Sequence, residues 1–206
     1  MKLKALAAAA LLTFSASNAD AVTLTFGGDG SNAGASVLTF DIFGVTDGLV
    51  LTALKSGGSG TFSELNDGIG VQNSPEGPRI GLGEVIAVSF AQGVFDLFPQ
   101  VRITDAVFVE SGPEDETFQL GLNDGLVDVS VPGDGGPLQS INEPFPVSIL
   151  TSTTDAFNIV GTLDESGNRS IRLNSITAAV PLPAPALLLL TGLAGLGFAA
   201  RRRAKA

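Results

Sequence analysis

The feature that most limits what this chain can become is an apolar residue at every second position, repeated in short runs that glycine, proline, asparagine or aspartate then breaks. "VTLTF" puts Val22, Leu24 and Phe26 on one side, "VLTFDIF" does the same for Leu38, Phe40 and Ile42, and "EVIAVSF" for Ile86, Val88 and Phe90. "VRITDAVFV" aligns Val101, Ile103, Val107 and Val109, with Asp105 interrupting. "TFQLGL" aligns Phe118, Leu120 and Leu122, "VDVSV" aligns Val127, Val129 and Val131, and "SIRLNSI" aligns Ile171 and Leu173. Successive side chains of a strand leave opposite faces, so this period marks half-buried strands. Between the runs lie "GGDGSNAG", "KSGGSG", "NSPEGP" and "PGDGGP", all turn-forming. The pattern predicts about eight to ten strands in an all-β antiparallel β-sandwich or jelly roll over residues 22–179, with no helix in that span. "LNDG" occurs twice, from Leu65 and from Leu122, and reads as two similar turns with different flanks.

Residue types that are missing narrow the chemistry. The 206 residues contain no cysteine and no histidine, which removes thiolate chemistry, disulfides, the Ser-His-Asp and Cys-His arrangements and the usual histidine-bearing metal sites. The net charge of −10 is unevenly spread. From Val22 to Ala179 there are 20 acidic against 5 basic side chains, a net of −15, while six basic residues stand at the ends. Such a body repels nucleic acid and anionic headgroups, so no nucleic-acid partner is expected.

Each end has its own pattern. Residues 1–21 begin with Lys2 and Lys4, continue with an apolar stretch from Ala5 to Phe14, and close on small residues. That is the layout of a secretory signal peptide, handled by export machinery, with cleavage after Ala21 or, less favoured, after Ala19. At the other end, Pro181, Pro183 and Pro185 delay any helix until about residue 185. Residues 185–200 carry no charge and would span ~24 Å as a helix, somewhat under a hydrocarbon layer of ~30 Å. Gly192, Gly195 and Gly197 keep one side of that helix thin. Arg201, Arg202, Arg203 and Lys205 form a basic stop that holds the terminus in the cytoplasm.

The run Val180, Pro181, Leu182, Pro183, Ala184, followed by an apolar helix and an arginine cluster, resembles the VPLPA variant of the PEP-CTERM sorting signal. It lacks the glutamate found between the prolines in the commoner form, as that subclass does. The resemblance covers residues 180–206. It implies recognition by an exosortase-like membrane transpeptidase, an integral membrane cysteine protease that removes the helix and passes the protein to the cell surface or matrix. The segment from Asn66 to Phe90 is loosely similar to segments of β-rich proteins that bear this tail, which implies fold and no activity.

The body offers four candidate chemistries. "GGDGSNAG" is followed by a strand-like run, so no helix N-terminus faces its glycines, and a hairpin loop is expected in place of a phosphate cradle. Lys55 with Thr52 makes a nucleophile pair only if the lysine is buried, and its neighbours "SGGSG" place it in a solvated loop. Glu110, Glu114, Asp115 and Glu116, with Asp164 and Glu165, read first as solvated loops, second as a calcium site and last as a glycosidase carboxylate pair, whose separation a sequence does not show. Sugar binding lacks its usual platforms, since there is no Trp and no Tyr and most of the 13 Phe fall on inward faces.

The expectation is therefore a non-enzymatic exported protein without a cofactor, passing through an inner-membrane intermediate to the cell surface or extracellular matrix, with a structural or adhesive role. Its partners would be the export machinery, the transpeptidase, the membrane through its C-terminal helix, and exopolysaccharide. The alternatives are a carbohydrate-binding or calcium-stabilised module and a permanently anchored single-span envelope protein.

Overall fold

The computed structural model describes residues 21–28, 30–71, 79–109, 116–123, 125–131, 139–140, 148–162 and 171–180, all within the compact unit Ala21–Pro181. Residues 1–20 of the expected signal peptide 1–21, the tail from Pro181 to Ala206, and the acidic positions 110, 114, 115, 164 and 165 lie outside the described residues. Among the described residues no helix is long and apolar enough to cross a membrane.

In chain order the elements are β1 (Ala21–Thr25), β2 (Val37–Ile42), β3 (Val45–Lys55), β4 (Gly58–Ser59), β5 (Phe62–Leu65), β6 (Gly68–Val71), β7 (Glu84–Phe90), α1 (Gln92–Leu97), β8 (Val101–Val109), β9 (Glu116–Leu122), β10 (Gly125–Val131), β11 (Gln139–Ser140), β12 (Ser148–Leu150), β13 (Phe157–Gly161) and β14 (Arg172–Ala179). They form two seven-stranded sheets. Sheet A runs β11-β8-β14-β6-β5, with β1 beside β14 and β12 beside β8; sheet B runs β10-β9-β13-β7-β3-β2, with β4 beside β3. Every strand pairing is antiparallel, so the all-β sandwich expected from the alternation is present.

Inward residues of both sheets make one core. Ile86, Val88 and Phe90 of β7 are buried, as are Phe118 and Leu120 of β9, each with the phase that the sequence carries. Across the sandwich the rings of Phe108 (sheet A) and Phe118 (sheet B) lie 4.4 Å apart. Burying one such side chain stabilises the fold by about 1.5–3 kcal/mol relative to leaving it in water. Edge strand β10 departs from the pattern, because Val129 is buried while Val127 is 46% exposed.

The two "LNDG" segments both close two-residue hairpins, with Leu65 opposite Gly68 and Leu122 opposite Gly125. Their backbones differ. Asn123 adopts φ 52°, whereas in the first turn the positive φ falls on Gly68. Another two-residue turn, Phe43 (φ 53°) and Gly44 (φ 78°), joins β2 to β3. A positive φ is uncommon for a ring-bearing residue, and here Phe43 packs edge-on against Phe98 at 5.6 Å.

Three expectations need correction. A helix does occur within the body: α1, which buries Val94 and Phe95 and carries the chain from sheet B to sheet A. At six residues it is too short to hold by propensity and depends on that packing. The segment containing "GGDGSNAG" is a crossover between sheets, because β1 pairs with β14 and β2 with β3. Finally, β8 does not keep one phase. Its register against β14 passes from Ile103–Ala178 to Asp105–Thr177, leaving Thr104 as an extra residue, and Ala106 and Phe108 turn inward in place of Val107. An unbroken alternation would drive the Asp105 carboxylate into the apolar core at a cost of several kcal/mol, and the bulge carries it outside. A second shift at Asn174 on β14 restores the pairing.

Candidate functional site

Facing residues of paired strands share a sheet face, so the register fixes what the outer surface of sheet A presents. One row is Ala21, Ala179, Arg102 and Ile149. The next is Thr23, Thr177 and Asp105, with the bulged Thr104 beside it. A third begins with Thr25, Ser175 and Val107. Rows two residues apart on a strand are separated by about 7 Å, and strands by about 4.8 Å. The face is therefore a grid of hydroxyls and small apolar groups with one guanidinium and one carboxylate set into it, open along β1 and at Thr104 and closed at Ser175 and Ala179, which are buried.

Its hydroxyls are partly linked to each other. Thr23 Oγ1 and Thr177 Oγ1 are 2.9 Å apart, and Thr104 Oγ1 donates to the Thr177 carbonyl at 3.3 Å. Arg102 Nε and Asp105 Oδ1 are shielded from solvent and have no hydrogen-bond partner, the two such side-chain atoms among the described residues. Both lie on the same face of the same strand, in adjacent rows.

Other polar groups of the body are tied down. Arg172, 4% exposed, donates through Nε and Nη2 to the two carboxylate oxygens of Asp67 at 2.9 and 2.6 Å. Asn174 Nδ2 adds a bond to the Asp67 carbonyl at 2.9 Å, so the β5–β6 turn is clasped onto β14. Buried Glu84 accepts a bond from the Gly81 backbone N–H at 2.5 Å. On the outer face of sheet B, Gln119 Nε2 donates to Asp128 Oδ1 at 2.7 Å and Thr39 Oγ1 donates to Asp47 Oδ1 at 2.6 Å. In the segment between β12 and β13, Asp155 Oδ2 accepts from the Thr151 N–H at 2.9 Å and from its hydroxyl at 3.0 Å. The backbone bond is the main cause that holds the Asp155 carboxyl below its ordinary range, against an opposing push from burial.

The residues singled out in the sequence fall as follows. Val180 is buried at the end of β14 and belongs to the core; Pro181, Leu182, Pro183, Ala184, Arg201, Arg202, Arg203 and Lys205 lie outside the described residues. Thr52 and Lys55 have opposite parity on β3 and leave opposite faces, and Lys55 is exposed, so they form no nucleophile pair. In "GGDGSNAG", the Gly34 N–H donates to the Phe62 carbonyl at 2.8 Å and the Asn32 N–H to Glu64 Oε2 at 2.9 Å, so those donors are used within the fold. Among the described residues no three potential metal ligands converge. Sequence reasoning missed Arg102 altogether. Its one usable signal was Asp105, the charge that broke the alternation.

No known protein family matches the chain, and none of the curated proteins compared does. Among solved structures it is similar to an exo-β-1,3-galactanase from Phanerochaete chrysosporium, with galactose, at 16% identity over 78% of this chain and a TM-score of 0.37. It is also similar to a GH26-CBM35 β-(1,4)-mannanase from Podospora anserina, at 15% identity over 81% of this chain and a TM-score of 0.41. In both cases the chain spans 29% of the length of the solved chain. The expectation of a non-enzymatic protein is corrected on this finding: the matched chains are enzymes by name, and the exclusion of catalysis is withdrawn.

Proposed function

We propose that this chain is an exported module whose β-sandwich body binds polysaccharide, delivered to the cell surface or matrix by its C-terminal VPLPA-type signal. The observation that carries the binding half is the outer face of sheet A, where the exposed Thr23, Thr25 and Thr104 and the half-buried Thr177 set hydroxyls in neighbouring rows. Rows of donors and acceptors suit a ligand that is itself an extended chain of hydroxyls. The absence of Trp and Tyr limits each contact to hydrogen bonds and small apolar patches, so affinity would come from many weak contacts along the ligand.

The delivery half rests on the sequence of the ends. The register adds support, since Ala21 pairs with Ala179 and the two ends of the body leave side by side from neighbouring strands. Cutting at both ends would leave the pairing of β1 with β14 largely intact. Retention of the full chain on immobilised galactan or mannan, the polymers in the names of the matched enzymes, tests the first half. Deleting residues 187–206 tests the second: the truncated chain should be released in soluble form, and identical fractionation of both forms in cells with an intact sorting system overturns delivery by the tail.

A further inference from the structure

We infer that the outer face of sheet B is the surface on which two copies of this chain dock, sheet against sheet, so that their two sheet A faces point away from each other. Self-association stands independently of the polysaccharide reading; only its consequence for ligand binding draws on it.

A sheet with one face in the core and the other in water alternates apolar with polar residues, whereas strands covered on both faces read as nearly continuous apolar runs. The central strands of sheet B are of the second kind. Ile86 and Val88 of β7 and Ile159 of β13 point into the core, yet the outward residues Val85, Ala87 and Val160 are apolar as well. The register lines these up across the sheet. Leu54 stands opposite Val85, and Val85 opposite Val160; one row along, Thr52, Ala87 and Asn158 follow Val37 of edge strand β2. These side chains reach solvent, since Val37 is 49% and Leu54 37% exposed and Val85, Ala87 and Val160 are half-buried.

Charge selects the occupant. Among the described residues the carboxylates of this face stand at its margin: Asp128 on edge strand β10, held by Gln119, and Asp41 and Asp47 at the β2–β3 corner, where Thr39 donates to Asp47. The two rows of Leu54 and Ala87 carry no charge across β3, β7 and β13, so a charged ligand has nothing to pair with there. A sugar finds few open partners either, because Gln119, Asp128 and Asn158 are already bonded within the sheet. What fits is another apolar, uncharged sheet face, and a second copy brings one. Two bodies of net charge −15 repel each other over most of their surfaces, and the face with carboxylates only at its rim is where they approach at least cost. Six strands at about 4.8 Å, and five to seven residues at about 3.4 Å, give a face of roughly 500–700 Å², close to the ~800 Å² per partner of a standard interface. Two such sheets pack about 10 Å apart with interdigitated side chains. The layers then run sheet A, sheet B, sheet B, sheet A, which sets the two hydroxyl-bearing faces on opposite outsides. On the polysaccharide reading, one dimer bridges two polymer chains.

The test is sedimentation of the full chain in a mild non-ionic detergent, with no polymer present, over a range of protein concentrations. The expected result is a monomer–dimer equilibrium whose dissociation constant rises about a hundredfold in Val160→Asp and in Leu54→Asp, since each puts an unpaired charge into both halves of the contact. Leu65→Asp, at a comparably exposed leucine on sheet A, should leave it unchanged. Melting temperatures show which variants fold, and Leu54→Asp, at the more exposed position, covers the case in which Val160→Asp does not. The unsubstituted chain gives a second readout. Raising salt from about 0.01 M to about 1 M shortens the screening length from ~30 Å to ~3 Å and should tighten the dimer, because the carboxylates it screens oppose association. A monomer at every concentration overturns docking through this face. So does a dimer that both sheet B substitutions leave intact, one that Leu65→Asp weakens equally, or one that high salt dissociates, which would be a contact held by charge. None of these results bears on polymer binding by sheet A, so the two readings fail separately.

Discussion

The two outer faces of the sandwich are made from similar residues and differ in how their polar groups are satisfied. On sheet B, Gln119 and Asp128 bond across neighbouring strands, Thr39 bonds Asp47, and Asn158 Nδ2 reaches the Asn123 carbonyl at 3.3 Å. On sheet A the hydroxyls of Thr23 and Thr177 meet, but Arg102 and Asp105 hold atoms with no partner. A face whose polar groups answer one another is complete as a surface. A face that shields polar atoms without answering them carries a cost that the rest of the fold must offset.

The largest expected effect tests whether the two faces belong to one cooperative body. Phe108→Ala removes a ring that bridges the sheets and should cost about 3–5 kcal/mol, measured by urea unfolding as one transition. Separate transitions for the two sheets would break the comparison at its base. Next is Asp67→Ala, which leaves the Arg172 guanidinium buried without its partner; the half-exposed position of Asp67 limits the loss to about 2 kcal/mol. Then come the faces themselves. Gln119→Ala, which leaves Asp128 without its donor, should cost about 0.5 kcal/mol, whereas Asp105→Asn should cost nothing or stabilise slightly, since it removes an unpaired charge. Equal losses at both positions would erase the distinction.

The smallest effect concerns the segment that carries the chain from sheet A to sheet B. With the folded carboxyl of Asp155 held below its ordinary value, its contribution is fully present above the unfolded value and is lost as pH falls through the folded one. The stability gap between the native chain and Asp155→Asn should therefore be constant near neutral pH and narrow below about pH 4. Melting curves from pH 7 to strong acid measure it, and a gap that widens in acid would show that Thr151 does not favour the charged form.

Much of the fold was legible because alternation is a local property. Leu38, Ile42, Ile86, Val88, Phe90, Phe118 and Leu120 are inward in the sequence pattern and inward in the sandwich. The failures share a cause. Helix α1 exists because Val94 and Phe95 find a place in a core built by distant strands. The phase change in β8 depends on β14, and Thr104 and Thr177 meet across 73 residues of chain. The Arg172–Asp67 clasp joins groups 105 apart. Asp105 was visible as an interruption, but nothing local marked it as a bulge, and Arg102 looked like any exposed strand residue.

By itself the sequence determined the class of fold, the exclusion of histidine and cysteine chemistry, the acidity of the body and the character of its two ends. These follow from composition and from spacings shorter than one element. Tertiary structure alone decided which strands lie side by side, and therefore which polar groups find partners. Hydrogen-bond satisfaction is a property of neighbours in space, and in an antiparallel sandwich most neighbours come from far along the chain.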